Sequence, residues 1–292
     1  MSKASVAEIV MSQVIKAIEE NKELPWQKPW KSIDAPRNLV SGKAYQGSNA
    51  MLLSYLNKYE SPYFLSWKQC IARGGRIKEE EAKNGFMIVF YKNYLKKTGQ
   101  ADDNGDDQVE KRWMMRYYRV WNVEQCEGIE YPKIEKVDHN PIECCEQVIE
   151  GMPLKPEIRP DIKAFYNPNF DFVGMPDKGL FEQVEHYYST MFHELGHSTG
   201  HEKRLKRKDF HKGFFGDEDY SYEELVAEMT ATFLCGHCGI DKATKDNSAA
   251  YLLNWLGRLK KDPKMLLMAS AQAQKASDYI LGKKAEVANE TE

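Results

Sequence analysis

The sequence predicts an α+β chain of two domains: an N-terminal α+β domain and a mainly helical C-terminal domain with a small edge sheet. Three observations carry this. Runs rich in β-branched and aromatic residues at 86–91 and 113–123 flank a stretch of Gly, Asn and Asp, as the two arms of a hairpin do. Phe181, Val184, Tyr187, Tyr188, Met191, Phe192 and Leu195 recur at three- and four-residue steps, the period of a helix packed on one side. Between these regions, residues 131–160 are rich in Pro and charge and read as a linker. A chain of 292 residues, 42% of them hydrophobic, can build one or two ordinary cores. The expected division is 1–130, a linker over 131–160, 161–282, and a disordered tail over 283–292.

Taken in order, residues 4–21 read as an amphipathic helix, and Trp26 and Trp30 flank a Pro-rich corner. Residues 36–48 hold two short strands joined through Ser41-Gly42. Asn49 is a good N-cap for a helix running to Tyr59, and 66–74 reads as a further short helix. The strand at 86–91 pairs with 113–123 across an acidic loop, 99–110, whose composition suits a solvated excursion. A short helix at 141–151 lies inside the linker. Strands at 164–166 and 170–175 precede the packed helix, which Gly200 is placed to end, and the second is read as an edge strand to which an extended peptide can add. A second buried helix follows Ser221, and two more occupy 248–260 and 263–281. No internal repeat is present.

The packed helix carries His193-Glu194-Leu195-Gly196-His197, an H-E-x-x-H motif. Four residues of helix span about 400°, so the two imidazoles share a face one turn apart and can bind one Zn²⁺. Glu194, beside the first ligand, can take a proton from water held by the metal and pass it to a leaving amine. Such a site needs a third protein ligand. Tyr220-Ser221-Tyr222-Glu223-Glu224-Leu225-Val226-Ala227-Glu228 offers it, because Glu224 and Glu228 share a face with Ala227 and Ala231. Two carboxylates facing an apolar interior are costly unless a cation compensates them. Glu224 is read as the ligand and Glu228 as the carboxylate that fixes the tautomer of a ligand His, although the reverse assignment is open. Ser221 and Glu224 also form an S-x-x-E capping box, which competes for Glu224. Glu223 is expected to face solvent. His201 follows His197 at a spacing that differs from the three-histidine H-E-x-x-H-x-x-G-x-x-H arrangement, so it is read as a structural hydrogen-bonding residue near the site. His and carboxylate donors suit zinc, while Mn²⁺ or Ni²⁺ fits a similar set.

The net charge is −3, so the chain as a whole is not a basic nucleic-acid binder. The charge is uneven. Residues 1–130 hold 20 Lys+Arg against 17 Asp+Glu, five of those acids being Asp102, Asp103, Asp106, Asp107 and Glu110, whereas the remainder holds 21 against 27. Trp26, Lys28, Trp30, Lys31, Trp67, Lys68, Tyr94, Lys96, Arg116, Tyr117 and Arg119 interleave aromatics with cations. That combination suits single-strand stacking and equally suits an ordinary aromatic core with a basic rim. No apolar run approaches the roughly 18 residues of a membrane span. No signal-peptide pattern opens the chain, and six Cys, two of them adjacent, do not form a secreted disulfide framework; a cytoplasmic location is expected. Cys235-Gly236-His237-Cys238 looks like a redox motif but falls at the end of an apolar helix, where buried small side chains are the better reading.

The motifs carry a resemblance. F-H-E-L-G-H-S-T-G-H-E-x-R-L, preceded by Tyr187-Tyr188 and followed by Y-S-Y-E-E-L-V-A-E, F-L-C and A-A-Y-L-L-N-W-L, resembles the zincin-like metallopeptidase domain of the ArdC antirestriction family. P-W-Q-K-P-W (25–30), P-R-N-L-V-S-G-K-A-Y-Q-G-S-N (36–49), F-L-S-W-K-Q (64–69) and R-Y-Y-R-V-W-N-V-E-Q-C-E-G-I (116–129) resemble that family's single-stranded-DNA-binding domain. One turn departs from the pattern: residues 74–85 carry three glutamates where the family has a basic, Gly-rich turn. The resemblance implies a protein of mobile elements that binds single-stranded DNA without sequence preference and carries a zinc peptidase acting on an unknown protein or peptide. Arg37, Asn38, Lys43, Tyr45 and Asn49 fall in the best-matching N-terminal stretch and are its implied DNA contacts. Two other readings remain: a DNA-coating protein with a structural metal, and a DNA-dependent protease that clears proteins from DNA.

Overall fold

The computed structural model describes residues 5–21, 24, 35–101, 107–132, 141–207, 218–240 and 249–283. The Trp26–Trp30 corner and the tail beyond 283 lie outside these residues.

Helix α1 (Val6–Asn21) opens on a capping box: the Ser5 amide donates to Glu8 Oε2 at 2.6 Å, and the Glu8 amide donates to Ser5 Oγ. Its Val10, Met11, Val14 and Ile18 are buried along one face. Strand β1 (Arg37–Asn38) follows, with one bridge from Arg37 to Ala44 in place of a second strand. Gly42 makes the turn between them at φ 69°. Helix α2 (Gly47–Leu56) begins two residues before Asn49, with Gln46 as N-cap, so Asn49 is not a cap. Strand β2 (Tyr63–Ser66) leads into α3 (Trp67–Ala72), where Ser66 and Gln69 form a complete capping box.

Strands β3 (Arg76–Ile77), β4 (Phe86–Ala101), β5 (Asp107–Asn122) and β6 (Cys126–Glu127) complete the N-terminal half. The four-stranded sheet runs β1-β2-β5-β4, with β1 and β2 parallel and the other pairs antiparallel. Of the acidic loop expected over 99–110, residues 99–101 and 107–110 lie in the strands, and 102–106 fall outside the described residues. Both arms of the hairpin continue, and Lys96 pairs with Glu110 across the ladder.

The expected linker takes part in the fold. Helix α4 (Pro141–Gly151) buries Cys145, Val148 and Ile149, and β7 (Glu157–Pro160) pairs in parallel with β9 (Phe172–Met175). Strand β8 (Phe165–Asn167) pairs antiparallel with β9, giving the order β7-β9-β8. The 170–175 strand is therefore central and not an edge. Proline and charge had hidden β7, whose ladder partner lies 15 residues downstream.

Helices α5 (Val184–Ser198), α6 (Glu218–Cys238), α7 (Ala249–Lys261) and α8 (Met265–Ile280) follow. Two large cores meet on α6. One joins α1, α2 and β4 to Leu225, Val226 and Met229 of α6 and to α7 and α8. The other joins α4, α5 and β9 to Ala231, Leu234 and Cys235. A helix that is apolar on several sides must be enclosed. Here α4, α5 and α8 pack against it, and the N-terminal helices share its first core.

Candidate metal centre

Helix α5 ends at Ser198 with Thr199 as C-cap, so Gly200 is not the terminator and does not adopt positive φ. Helix α6 packs against α5, and Gly196 sets how closely. A Cβ at Gly196 would stand 3.2 Å from Ala227 Cα and from Thr230 Cβ, tighter than ordinary contact. The small residue inside the motif is thus a packing requirement of the helix pair.

That packing brings together three sequence-predicted donors. His193 Nε2 and His197 Nε2 are 3.1 Å apart, Glu224 Oε1 is 3.3 Å from His197 Nε2, and Glu224 Oε2 is 3.7 Å from His193 Nε2. Among the described residues, these three form the one His/Cys/Asp/Glu group compact enough to share an ion. Donors about 2.0–2.1 Å from a tetrahedral zinc stand about 3.3 Å from one another, so the spacing fits. The electrostatics fit as well. Burial alone would lower the pKa of His197, but Glu223, Glu224 and Glu194 outweigh it and push the imidazole up to about 10. The carboxylates therefore favour a cation here. Ser221 does not compete for Glu224 as a cap, because α6 begins three residues earlier, at Glu218.

The remaining candidates take distinct positions. Glu194 is buried, with its charge felt at His197. Glu228 Oε1 lies 3.7 Å from His193 Nδ1, on the far side of the ring from the donor cluster, so it cannot join His193 Nε2 as a ligand of one ion. His201 is buried outside the cluster. Its Nδ1 accepts from the Lys203 amide and lies 3.9 Å from Asp171. Asp171 accepts from Tyr166 and from Arg204, which also donates to the Ser198 and Leu154 carbonyls, tying the β8–β9 turn to the end of α5. Glu223 is the clear departure. Instead of facing solvent, its side chain is 15% exposed, paired with Arg207, and 3.5 Å from His197 Nδ1. Burial would raise its pKa, but His197 and Arg207 hold it below the ordinary carboxylate value. Arg207 lies sixteen residues before Glu223, and no sequence period links them. The C-x-x-C thiols, Cys235 and Cys238, are buried in the second core.

The N-terminal candidates are less uniform. Asn49 exchanges two hydrogen bonds with the Val89 backbone, at 2.7 and 2.8 Å. Since β4 is the outer strand of its sheet, Asn49 covers that edge as a neighbouring strand would. Asn38 Oδ1 accepts from the Val40 and Ser41 amides, which folds the turn, and its amide donates to Tyr45 and Gln69. Tyr45 packs edge-on against Phe64, and burial pushes its pKa up to about 12. Lys43 is exposed and Arg37 half-buried. Arg119 donates to the Lys83 and Gly85 carbonyls, and Glu81 of the departing turn accepts from Gln125. Sequence reasoning missed an exposed aromatic pair, Phe90 (37%) and Tyr118 (44%), with ring centroids 5.6 Å apart and Arg116 opposite Phe90 in the ladder. Alternation along β4 gave no warning of this, since it places Phe90 on the face of Ile88, which is buried.

Two facing helices that present His, His and Glu to one centre, with a buried glutamate beside the first His, define a zincin-like metallopeptidase fold. Residues 144–272 match the model of the zincin-like metallopeptidase family, and residues 4–121 match that of the N-terminal domain of the anti-restriction factor ArdC. The chain belongs to the ArdC family, which joins these two units. The metal-free crystal structure of antirestriction protein ArdC from plasmid R388 superposes with a TM-score of 0.73 at 28% identity, covering 95% of this chain and 97% of that one. The Mn(II)-bound structure of the same protein gives 0.72 at 28% identity, covering 97% and 100%. Two proteins of Escherichia coli named DNA primase TraC are 32% and 30% identical over 88% and 94% of this chain. An uncharacterized protein of Sinorhizobium fredii, y4eC, is 28% identical over 94% of this chain and 91% of its own length. The chain spans only 25% and 20% of the two TraC proteins.

Proposed function

We propose that the chain binds single-stranded DNA without sequence preference and carries a metal-dependent peptidase, within the antirestriction role its family name carries. The observation that carries the peptidase reading is the three-donor cluster with Glu194 beside it. Structural zinc sites are closed by four protein ligands, whereas catalytic sites keep a position open. Glu228 and His201 stand outside the cluster, which favours the open kind over a DNA-coating protein with a structural metal.

His193, His197 and Glu224 hold the divalent cation, zinc by donor chemistry. When bound, it supplies Lewis acidity that lowers the pKa of water and polarises a peptide carbonyl. Glu194 takes the proton of the attacking water and returns it to the departing amine. Strand β8, rather than the 170–175 strand, receives the substrate. It packs beside α5, and among the described residues no strand pairs with its outer edge, so an extended peptide can add there.

For DNA, the N-terminal half 1–130 supplies the binding face, and 161–282 the peptidase. Lys43, Arg37, Arg116 and the Phe90–Tyr118 pair combine cations with exposed aromatic faces, the arrangement that holds single strands without reading sequence. The TraC relatives are named as DNA primases, which supports DNA as the ligand class. No helix among the described residues is long and apolar enough to cross a membrane, in keeping with a cytoplasmic site of action.

The test is peptide hydrolysis by zinc-loaded protein on a denatured-protein substrate, with and without single-stranded DNA, against E194Q. Cleavage by the parent and none by E194Q supports the peptidase. Cleavage only with DNA present selects a protease that clears proteins from DNA. Zinc binding with no cleavage under either condition returns the protein to a DNA-coating role.

A further inference from the structure

Glu223 and Glu224 are neighbours on α6, so their side chains leave the helix about 100° apart and cannot both enter one metal cluster. Glu224 enters it. Glu223 passes behind the His197 ring and meets Nδ1, the nitrogen facing away from the donors, at 3.5 Å. Arg207 holds Glu223 in place. Its guanidinium, 5% exposed, pairs with both carboxylate oxygens of Glu223 and donates to Thr199 Oγ1 at 2.5 Å. It also donates to the Gly196 carbonyl at 3.0 Å and the His197 carbonyl at 3.4 Å. One side chain therefore clamps the end of α5 to the face of α6 that touches His197.

We infer that Arg207 and Glu223 act as one positioning unit for His197: Arg207 fixes Glu223, and Glu223 accepts a hydrogen bond from Nδ1–H, which keeps the Nε2 lone pair facing the centre it shares with Glu224 and His193. This rests on reading the cluster as a divalent-metal site. A carboxylate behind a ligand imidazole sets its tautomer and raises its basicity. The arginine adds a charge argument. Alone, a buried guanidinium beside a dication is repulsive. Paired with Glu223 it is neutral and delivers an oriented oxygen. A bare helix-capping role explains the contacts of Arg207 with the Gly196 and His197 carbonyls but assigns nothing to Glu223.

The experiment is zinc affinity of the full chain, by competition with a chromophoric chelator, for the parent, E223Q and E223Q/R207M. Circular dichroism and thermal melting of the chelator-treated proteins check the fold. E223Q is expected to bind zinc on the order of 10- to 100-fold more weakly. The double variant should recover part of that loss, because the positive charge that Glu223 balanced is gone. Parent-like affinity in E223Q, or a double variant no better than E223Q, overturns the inference, since a purely structural clamp predicts further loss when Arg207 is removed. A parent that binds no zinc overturns the metal-centre reading itself, a separable result. Should E223Q not fold, ¹⁵N NMR of the zinc-loaded parent decides: protonated Nδ1 with metallated Nε2 at His197 supports the unit, and metallated Nδ1 overturns it.

Discussion

The metal centre and the N-terminal sheet face are built on opposite plans. At the candidate metal centre, the side chains converge: His193, His197 and Glu224 meet within 3.7 Å of one another, and Glu223 and Glu228 reach the two imidazoles from behind. On the N-terminal face, candidates from one contiguous stretch disperse. Asn38 folds a turn, Asn49 covers a sheet edge, Tyr45 packs on Phe64, and only Lys43 and Arg37 keep charge near solvent. The lesson is that a recognisable stretch of sequence can be a structural stretch. Asn49 and Asn38 satisfy backbone groups, and such residues are as tightly specified as ligands.

Four measurements sharpen or break this contrast. The largest effect is expected at Glu194. E194Q should retain zinc and lose peptide cleavage on the order of 10²- to 10⁴-fold, with single-stranded-DNA affinity unchanged; a parallel loss of DNA binding would break the separation of the two regions. Next come the two packing positions, one from each region. Gly196→Ala should cost about 1–3 kcal/mol in chemical denaturation and weaken zinc binding, because α6 must move away from α5. Asn49→Ala should cost a similar amount, about 1–3 kcal/mol, by leaving Val89 backbone groups unsatisfied. If the Asn49 variant is fully stable yet loses DNA binding, its assignment to the sheet edge fails.

A smaller effect is expected for the cations. Lys43→Ala and Arg37→Ala should each flatten the salt dependence of single-stranded-DNA affinity by about one unit of slope, with little change in stability. The smallest concerns Asp171. Burial alone would raise its pKa, but hydrogen bonds from Arg204 and Tyr166 outweigh that and hold it below the usual value of 3.8. A depressed carboxylate stabilises the fold above the unfolded-state pKa, and that stabilisation fades as pH falls through the folded-state value. D171N should therefore be less stable than the parent at neutral pH and show a shallower loss of stability below about pH 4.

Much of the helical half was legible because its signals are local. The H-E-x-x-H spacing, the three- and four-residue apolar steps and the Glu224/Glu228 pair all follow from a 3.6-residue period. Capping boxes also show as short patterns, and Ser66 with Gln69 forms one. Ser221 with Glu224 fits the same pattern but lies inside a helix, since α6 starts at Glu218. A box is recognised by spacing but realised only where the helix begins.

What the sequence by itself determined is the α+β class, the order of the main elements, and the residue types that meet at the metal centre, because each is written within a turn or two of chain. Only the tertiary structure decided the rest. It turned Glu223 inward, since Arg207 pairs with it from sixteen residues away, a spacing no period predicts. It made β9 central by supplying β7 as a parallel partner. It also packed α6 against α5 and α8, which sets Glu224 beside the two histidines, and drew α1 and α2 from the far end of the chain into the same apolar core. Contacts between distant segments depend on packing and charge pairing in three dimensions, and a one-dimensional pattern records neither.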